Sequence, residues 1–210
     1  MKPFLLFDFD GTIADSINIG WKIANILAPE FGHKEFSQED FELFRSLQIH
    51  KIFQALRIPI YKIPKAISMA LVEYQHLVHE LEPCEDIVPM LNTLSAMHIP
   101  MALLSSNTRE NLSLFLQRLQ IDAFDWVEGT SGILKKQHRI KKQIKKHNLN
   151  PKDVIYIGDE TRDIDAAKNC GLKVIAVTWG FHTAELLSSH DPDYLVNSPD
   201  EIVRIVEQLI

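Results

Sequence analysis

Short apolar runs alternate with amphipathic stretches along most of this chain. Phe4 to Phe9 is apolar, broken by one acid and closed by Gly11-Thr12, the pattern of a buried strand that ends in a tight turn. Comparable runs recur at Pro100 to Leu104, Val154 to Ile157 and Lys173 to Val177, with weaker ones at Trp126 to Glu128 and Tyr194 to Val196. Between them the apolar residues take helical spacing, roughly over Asp86 to Met97, Thr108 to Leu119, Gln137 to His147 and Asp163 to Asn169. A last helix is announced by Ser198-Pro199-Asp200-Glu201, which offers an N-cap, a proline at the first helical position and a capping-box glutamate. Strand and helix in alternation predict an α/β fold with a parallel sheet.

Residues 15–82 break the alternation. They hold no convincing strand, and their apolar positions recur at helical spacing, as in Trp21, Ala24 and Ala28 or Met69, Val72, Leu77 and Leu81. The pattern predicts a helical domain of residues 15–82 inserted into a sheet domain of residues 1–14 and 83–210. Two short links, Thr12 to Ser16 and Leu81 to Asp86, would join them and suit hinge motion.

Composition narrows the function classes. A hydrophobic share of 46% with 24% charged residues is ordinary for a globular chain, and a formal charge of −6 argues against nucleic acid as the main partner, since a phosphate backbone selects for surplus Lys and Arg. Cys84 and Cys170 are the only cysteines, too few for a disulfide framework or a four-thiolate zinc site, so a reduced, cytoplasmic setting is expected. No apolar run approaches the ~20 residues a membrane helix needs, and Met1-Lys2-Pro3 leads straight into the first strand without a secretory segment.

Four acids stand at or just past the ends of two predicted strands: Asp8 and Asp10 after the first, Asp159 and Asp163 after Val154-Ile155-Tyr156-Ile157-Gly158. In an open parallel sheet that rim is where ligands bind. Like charges about 4 Å apart repel by about 4 kcal/mol at an effective dielectric near 20, so such a cluster implies a cation. Oxygen-only ligation with room for water and phosphate oxygens suits Mg²⁺. Asp163 also has a plainer reading, as a cap of the helix it opens.

Asp8-Phe9-Asp10-Gly11-Thr12-Ile13-Ala14-Asp15-Ser16 resembles the first motif of the haloacid dehalogenase superfamily in its phosphatase form, and Gly158-Asp159-Glu160-Thr161-Arg162-Asp163 resembles its fourth. Leu103-Leu104-Ser105-Ser106-Asn107 is similar to the second motif, with Ser106 the better aligned serine. The third needs a lysine before a helix, for which Lys135 and Lys136 both qualify; spacing favours Lys136, although the usual Lys-Pro pair is absent. The resemblance spans the chain in order and implies a Rossmann-like three-layer core with a helical cap. It also implies a phosphoglycolate-phosphatase-like hydrolase acting on a small phosphorylated metabolite.

By the same resemblance, Asp8 is the nucleophile and Asp10 the general acid and base. Gly11, Thr12, Ser106 and Asn107 would contact the phosphoryl group, and Lys136 would neutralise it. Mg²⁺ would be held by Asp8, Asp10 through its backbone carbonyl, Asp159 and Asp163. A dehalogenase needs no acid two residues after the nucleophile, whereas Asp10 is present here; a sugar phosphomutase of the same superfamily, or a member that binds phosphate or protein without catalysis, remains an alternative. Glu82-Pro83-Cys84-Glu85-Asp86-Ile87 replaces the Pro-Gly segment common at the cap exit, which leaves the substrate open.

Other features have plainer readings. Six lysines and Arg139 crowd residues 135–146, but Ile140 and Ile144 give the segment the apolar stripe of a helix laid on the sheet. His76 and His79 are spaced to hold a metal with Glu80, or simply to pack within the cap. Trp179-Gly180-Phe181-His182 follows a strand at the acidic rim; the family resemblance places such a loop near the active site, and a turn that packs an aromatic is the plainer reading. In the cap, Arg45 within Phe44-Arg45-Ser46-Leu47-Gln48 is a candidate for gripping a substrate carboxylate, or a surface arginine.

Overall fold

The computed structural model describes residues 2–129 and 136–210. In chain order its elements are β1 (Phe4–Phe7), β2 (Ala14–Asp15), α1 (Ile17–Leu27), α2 (Gln38–Arg45), α3 (Ile49–Ala55), α4 (Ile63–Leu77) and β3 (Glu82–Pro83). There follow α5 (Ile87–Ala96), β4 (Met101–Ser105), α6 (Arg109–Arg118), β5 (Trp126–Gly129), α7 (Lys136–Lys146), β6 (Val154–Gly158), α8 (Thr161–Lys168), β7 (Lys173–Val177), α9 (Ala184–Ser188), β8 (Tyr194–Val196) and α10 (Pro199–Leu209). The chain divides into two compact units, residues 1–15 with 82–210, and residues 16–81.

The first unit is a six-stranded sheet in the order β5-β4-β1-β6-β7-β8, with every neighbouring pair parallel. Its central strands are apolar along their whole length because helices cover both faces. Leu5, Leu6 and Phe7 are fully buried, as are Val154 to Ile157. Leu6, Ala102, Leu104 and Tyr156 point one way, into a cluster closed by Ile140 of α7, Ile164 and Ala167 of α8 and Leu187 of α9. The alternate residues face the other side, as a pleat requires, where α10 packs on α5.

Strand order reverses at β1, which carries β4 on one side and β6 on the other. A reversal splays the connections apart and opens a crevice beyond the carboxyl ends of the two strands. Asp8 and Asp159 each follow immediately on the last residue of β1 and β6.

Two differences from the sequence pattern bear on that crevice. The first strand stops at Phe7, two residues before the end of its apolar run. The Phe9 carbonyl accepts the amides of Thr12, Ile13 and Ala14, and Gly11 takes φ +72°, so the chain is already turning. The links 12–16 and 81–86 also pair with each other: Ala14 and Asp15 lie antiparallel to Pro83 and Glu82 as β2 and β3, and the Cys84 amide donates to the Ile13 carbonyl.

The second unit is helical. α1 packs on α4, and Trp21 gathers Phe36, Phe41 and Phe44 around it. α2 begins at a full capping box, in which Ser37 accepts from the Asp40 amide and Asp40 accepts from the Ser37 amide. No helix among the described residues is long and apolar enough to cross a membrane.

Candidate active site

Asp8, Asp159 and Asp163 meet at the reversal point. One carboxylate oxygen from each lies within 4.8 Å of the others, and all three side chains are buried. Among the described residues this is the one group of acids, histidines or cysteines arranged so that it could hold a metal ion. Backbone pairing sets the approach, since the Asp8 amide donates to the Ile157 carbonyl at 2.8 Å and keeps β1 in step with β6.

Each acid is aimed by its neighbours. Asp159 accepts from the Thr12 hydroxyl through Oδ1 at 3.2 Å and from the Phe181 amide through Oδ2 at 2.7 Å. Asp163 stands at the third position of α8 and accepts from the Glu160 amide through Oδ2 at 3.1 Å. Its Oδ1 receives the ammonium of Lys136, which also donates to Asp8 Oδ2 at 2.6 Å. Asp163 therefore caps its helix and joins the acidic group at once, because α8 begins at Thr161 rather than at Asp163. Lys136 reaches the group from the first turn of α7, its Nζ 5.3 Å from the centroid of the buried Tyr156 ring. Lys135 lies outside the described residues.

The remaining site residues divide between the two units. Asp10 is half-buried, and the Asn107 amide nitrogen is 3.4 Å from its Oδ2. Asn107 is itself fixed: its Oδ1 accepts from the Thr108 amide at 2.9 Å and from Asn111 at 2.8 Å. Ser105 ends β4, buried, with its hydroxyl oxygen accepting from the Asn107 amide, whereas Ser106 is half-buried just beyond the strand. Thr12 is fully buried and gives its hydroxyl to Asp159. Arg45 belongs to the helical unit, its guanidinium 5.8 Å from the Phe41 ring centre and 3.5 Å from Glu42. His76 sits 3.7 Å from Glu73 on α4.

One contribution escaped the sequence pattern: Arg162 pairs with Glu160 at 2.5 Å beside the acids. Residues 179–182, singled out in the sequence because they follow a strand at the acidic rim, fold over Asp159.

Burial in this site alters the titration of Asp8 and Asp159. Burial pushes the Asp8 carboxyl up to about 7; Lys136 opposes the shift and Asp163 adds to it. Burial also raises Asp159, with Glu160, Asp163 and Asp8 adding to it against the Phe181 amide. For Lys136, burial works against the charge, but Asp163 and Asp8 outweigh it and hold the ammonium well above the ordinary lysine range. Lys136 is thus a permanent cation between Asp8 and Asp163.

Close packing leaves no slack around Asp159. A Cβ on Gly11 would lie 2.1 Å from Asp159 Oδ2, at a positive φ that side chains rarely adopt. Gly11→Ala must therefore displace Asp159, and a displacement of about 1 Å is enough to lower turnover by about 10²-fold. Steady-state rates with an unchanged circular dichroism spectrum check this; wild-type turnover would refute the claimed contact.

Residues 5–177 match the haloacid dehalogenase-like hydrolase family. A phosphoglycolate phosphatase of Synechococcus elongatus is 30% identical over 207 residues, covering 98% of each chain. The pyrophosphatase PpaX of Bacillus velezensis is 24% identical, covering 96% of this chain and 94% of the relative. In fold, a predicted phosphatase from Clostridium acetobutylicum superposes with a TM-score of 0.86 at 23% identity, covering 99% of each chain. With the family's match running from the first strand to the end of β7, the chain belongs to the haloacid dehalogenase-like hydrolases.

Proposed function

We propose that this chain is a phosphatase that hydrolyses a small phosphomonoester of about phosphoglycolate size, by transferring the phosphoryl group to Asp8. The observation that carries the proposal is the meeting of Asp8, Asp159, Asp163 and Lys136 at the point where the sheet reverses. The phosphatase and pyrophosphatase named among its relatives both cleave phosphoryl bonds, which supports the reaction class.

The donor set fits a hard divalent cation. Three buried acids meet beside the ammonium of Lys136, and burial raises the pKa of Asp8 and Asp159, so a cation that favours their charged forms would find oxygen ligands there. Asp8, Asp159 and Asp163, with the Asp10 backbone carbonyl, would hold Mg²⁺, which when bound supplies positive charge against the substrate dianion.

In the reaction, an Asp8 carboxylate oxygen attacks phosphorus, and the bond from phosphorus to the leaving oxygen breaks as Asp10 gives that oxygen a proton. Asp10 then takes a proton from water, whose oxygen attacks the aspartyl-phosphate and releases inorganic phosphate. Lys136, Ser106 and Asn107 meet the charge spread over the phosphoryl oxygens in a loose transition state. The fixed amide of Asn107 near Asp10 supports placing the acid and the phosphoryl-binding residues side by side.

The test is a panel of phosphorylated compounds with and without EDTA. Phosphate should be released fastest from a small anionic monoester such as phosphoglycolate, and chelation should abolish it. Turnover confined to nucleotides, phosphopeptides or pyrophosphate would overturn the substrate class, and turnover that ignores EDTA would overturn the metal.

The acidic group also predicts a pH effect on the metal-free fold. A carboxyl with a higher pKa in the folded chain than in the unfolded one binds its proton more tightly when folded, so stability falls as pH rises between the two values. For Asp8 that window runs from about 4 to about 7. In EDTA, the melting temperature should fall from pH 5 to pH 7.5, with a shallower fall in Asp8→Asn, and Mg²⁺ should recover the loss at the higher pH. Equal slopes in the two proteins would remove Asp8 as the source.

A further inference from the structure

We infer that His182 is a positioning residue for the metal-binding acids, holding the start of α8 so that Asp159 and Asp163 stay aimed at the crevice. The inference rests on the metal reading above and adds to it a residue outside the four motifs.

Residues 179–182 wrap Asp159 closely. The Trp179 indole donates to the Thr12 carbonyl at 3.2 Å, the Phe181 amide donates to Asp159 Oδ2, and the His182 amide lies 3.4 Å from the Asp159 carbonyl. Gly180 permits the approach, since a Cβ there would fall 2.1 Å from the Asp159 Cβ. The segment therefore ties the turn after β1 to the turn after β6.

His182 completes the tie. Its side chain is 1% exposed, and its Nδ1 accepts the Thr161 amide at 2.9 Å. A backbone amide can only donate, so Nδ1 carries no proton and the imidazole is the neutral tautomer with its hydrogen on Nε2. Thr161 is the first residue of α8, and its amide is one of those a helix leaves without an intrahelical acceptor. A buried aromatic acceptor satisfies it here and fixes the direction in which the helix leaves β6. Asp159 precedes that helix by two residues and Asp163 lies two residues inside it. Support of this kind around metal ligands is worth about 10- to 100-fold in affinity.

The experiment is Mg²⁺ titration by calorimetry on the folded protein without substrate. His182→Leu keeps the volume but removes the acceptor; we expect Mg²⁺ to bind at least about tenfold more weakly. His182→Asn places its amide oxygen where Nδ1 stood, and should recover most of that loss. Thr161→Pro removes the donor instead, at a first helical position that tolerates proline and after an extended residue, Glu160, at φ −118° and ψ 151°. It should weaken Mg²⁺ as His182→Leu does, while Thr161→Ala, which keeps the amide, should not; this second pair decides the matter if His182→Leu does not fold. Wild-type affinity in both His182→Leu and Thr161→Pro would overturn the inference while leaving the proposed function intact. Failure of the wild-type protein to bind Mg²⁺ would overturn the metal reading and this inference with it.

Discussion

Asp8→Asn should abolish turnover, lowering kcat by about 10⁴-fold or more while leaving the chain folded. An amide is isosteric with the carboxylate but has no anionic oxygen to attack phosphorus, and losing the nucleophile of a covalent mechanism removes the whole pathway rather than one stabilising contact. The substitution should not harm the fold. Burial already raises Asp8 to a pKa of about 7, so a neutral group at that position is tolerated near neutral pH. Lys136 keeps Asp163 as its partner. Phosphate release from phosphoglycolate or p-nitrophenyl phosphate, measured beside a thermal melt, separates the two effects. A variant that retains a tenth of wild-type turnover would exclude Asp8 as nucleophile, and with it the reaction we propose.

What the sequence could reveal depended on how far apart the interacting residues lie. The central strands stand out because a parallel sheet covered on both faces forces unbroken apolar runs, as in Leu5 to Phe7 and Val154 to Ile157. An acid at the end of such a run is conspicuous, since burying it without a partner is unfavourable. By contrast, β2 and β3 have two residues each, too few to show a period, and their pairing joins stretches separated by the whole helical unit. α9, five residues long, left no helical pattern for the same reason. The contacts that aim the acids are equally silent in sequence. Thr12 and Asp159 lie 147 positions apart, and His182 and Thr161 lie 21 apart, joined by an imidazole nitrogen and a backbone amide that no side-chain spacing encodes. Asp163 illustrates the limit. Its two readings, helix cap and member of the acidic group, looked like alternatives, yet a carboxylate has two oxygens and the fold uses one for each.

Lys136→Met should damage both the reaction and the metal-free fold, and the two losses should respond differently to Mg²⁺. Methionine is similar in length to the lysine stem and equally unbranched, so packing is nearly conserved and the ammonium, which lies over the Tyr156 ring, is what disappears. Without it, Asp8 and Asp163 lose the cation that each now meets. Removing one partner of a buried ion pair destabilises by about 3–5 kcal/mol, because the remaining charge stays buried and unpaired. In EDTA at neutral pH the variant should therefore melt well below the wild-type protein, and lowering the pH should narrow the gap as the acids take up protons. Saturating Mg²⁺ should also narrow it, since a divalent ion among the same acids replaces the missing charge. Turnover should not recover with the melting temperature. A cation aimed at the phosphoryl oxygens is worth about 10²- to 10³-fold in the transition state, and an ion held by the acids cannot stand where the ammonium stood. Melting curves and rates measured across one Mg²⁺ titration test both halves. If stability and turnover return together, Lys136 serves only to neutralise the acids; if stability returns and turnover stays low, it acts on the substrate as well.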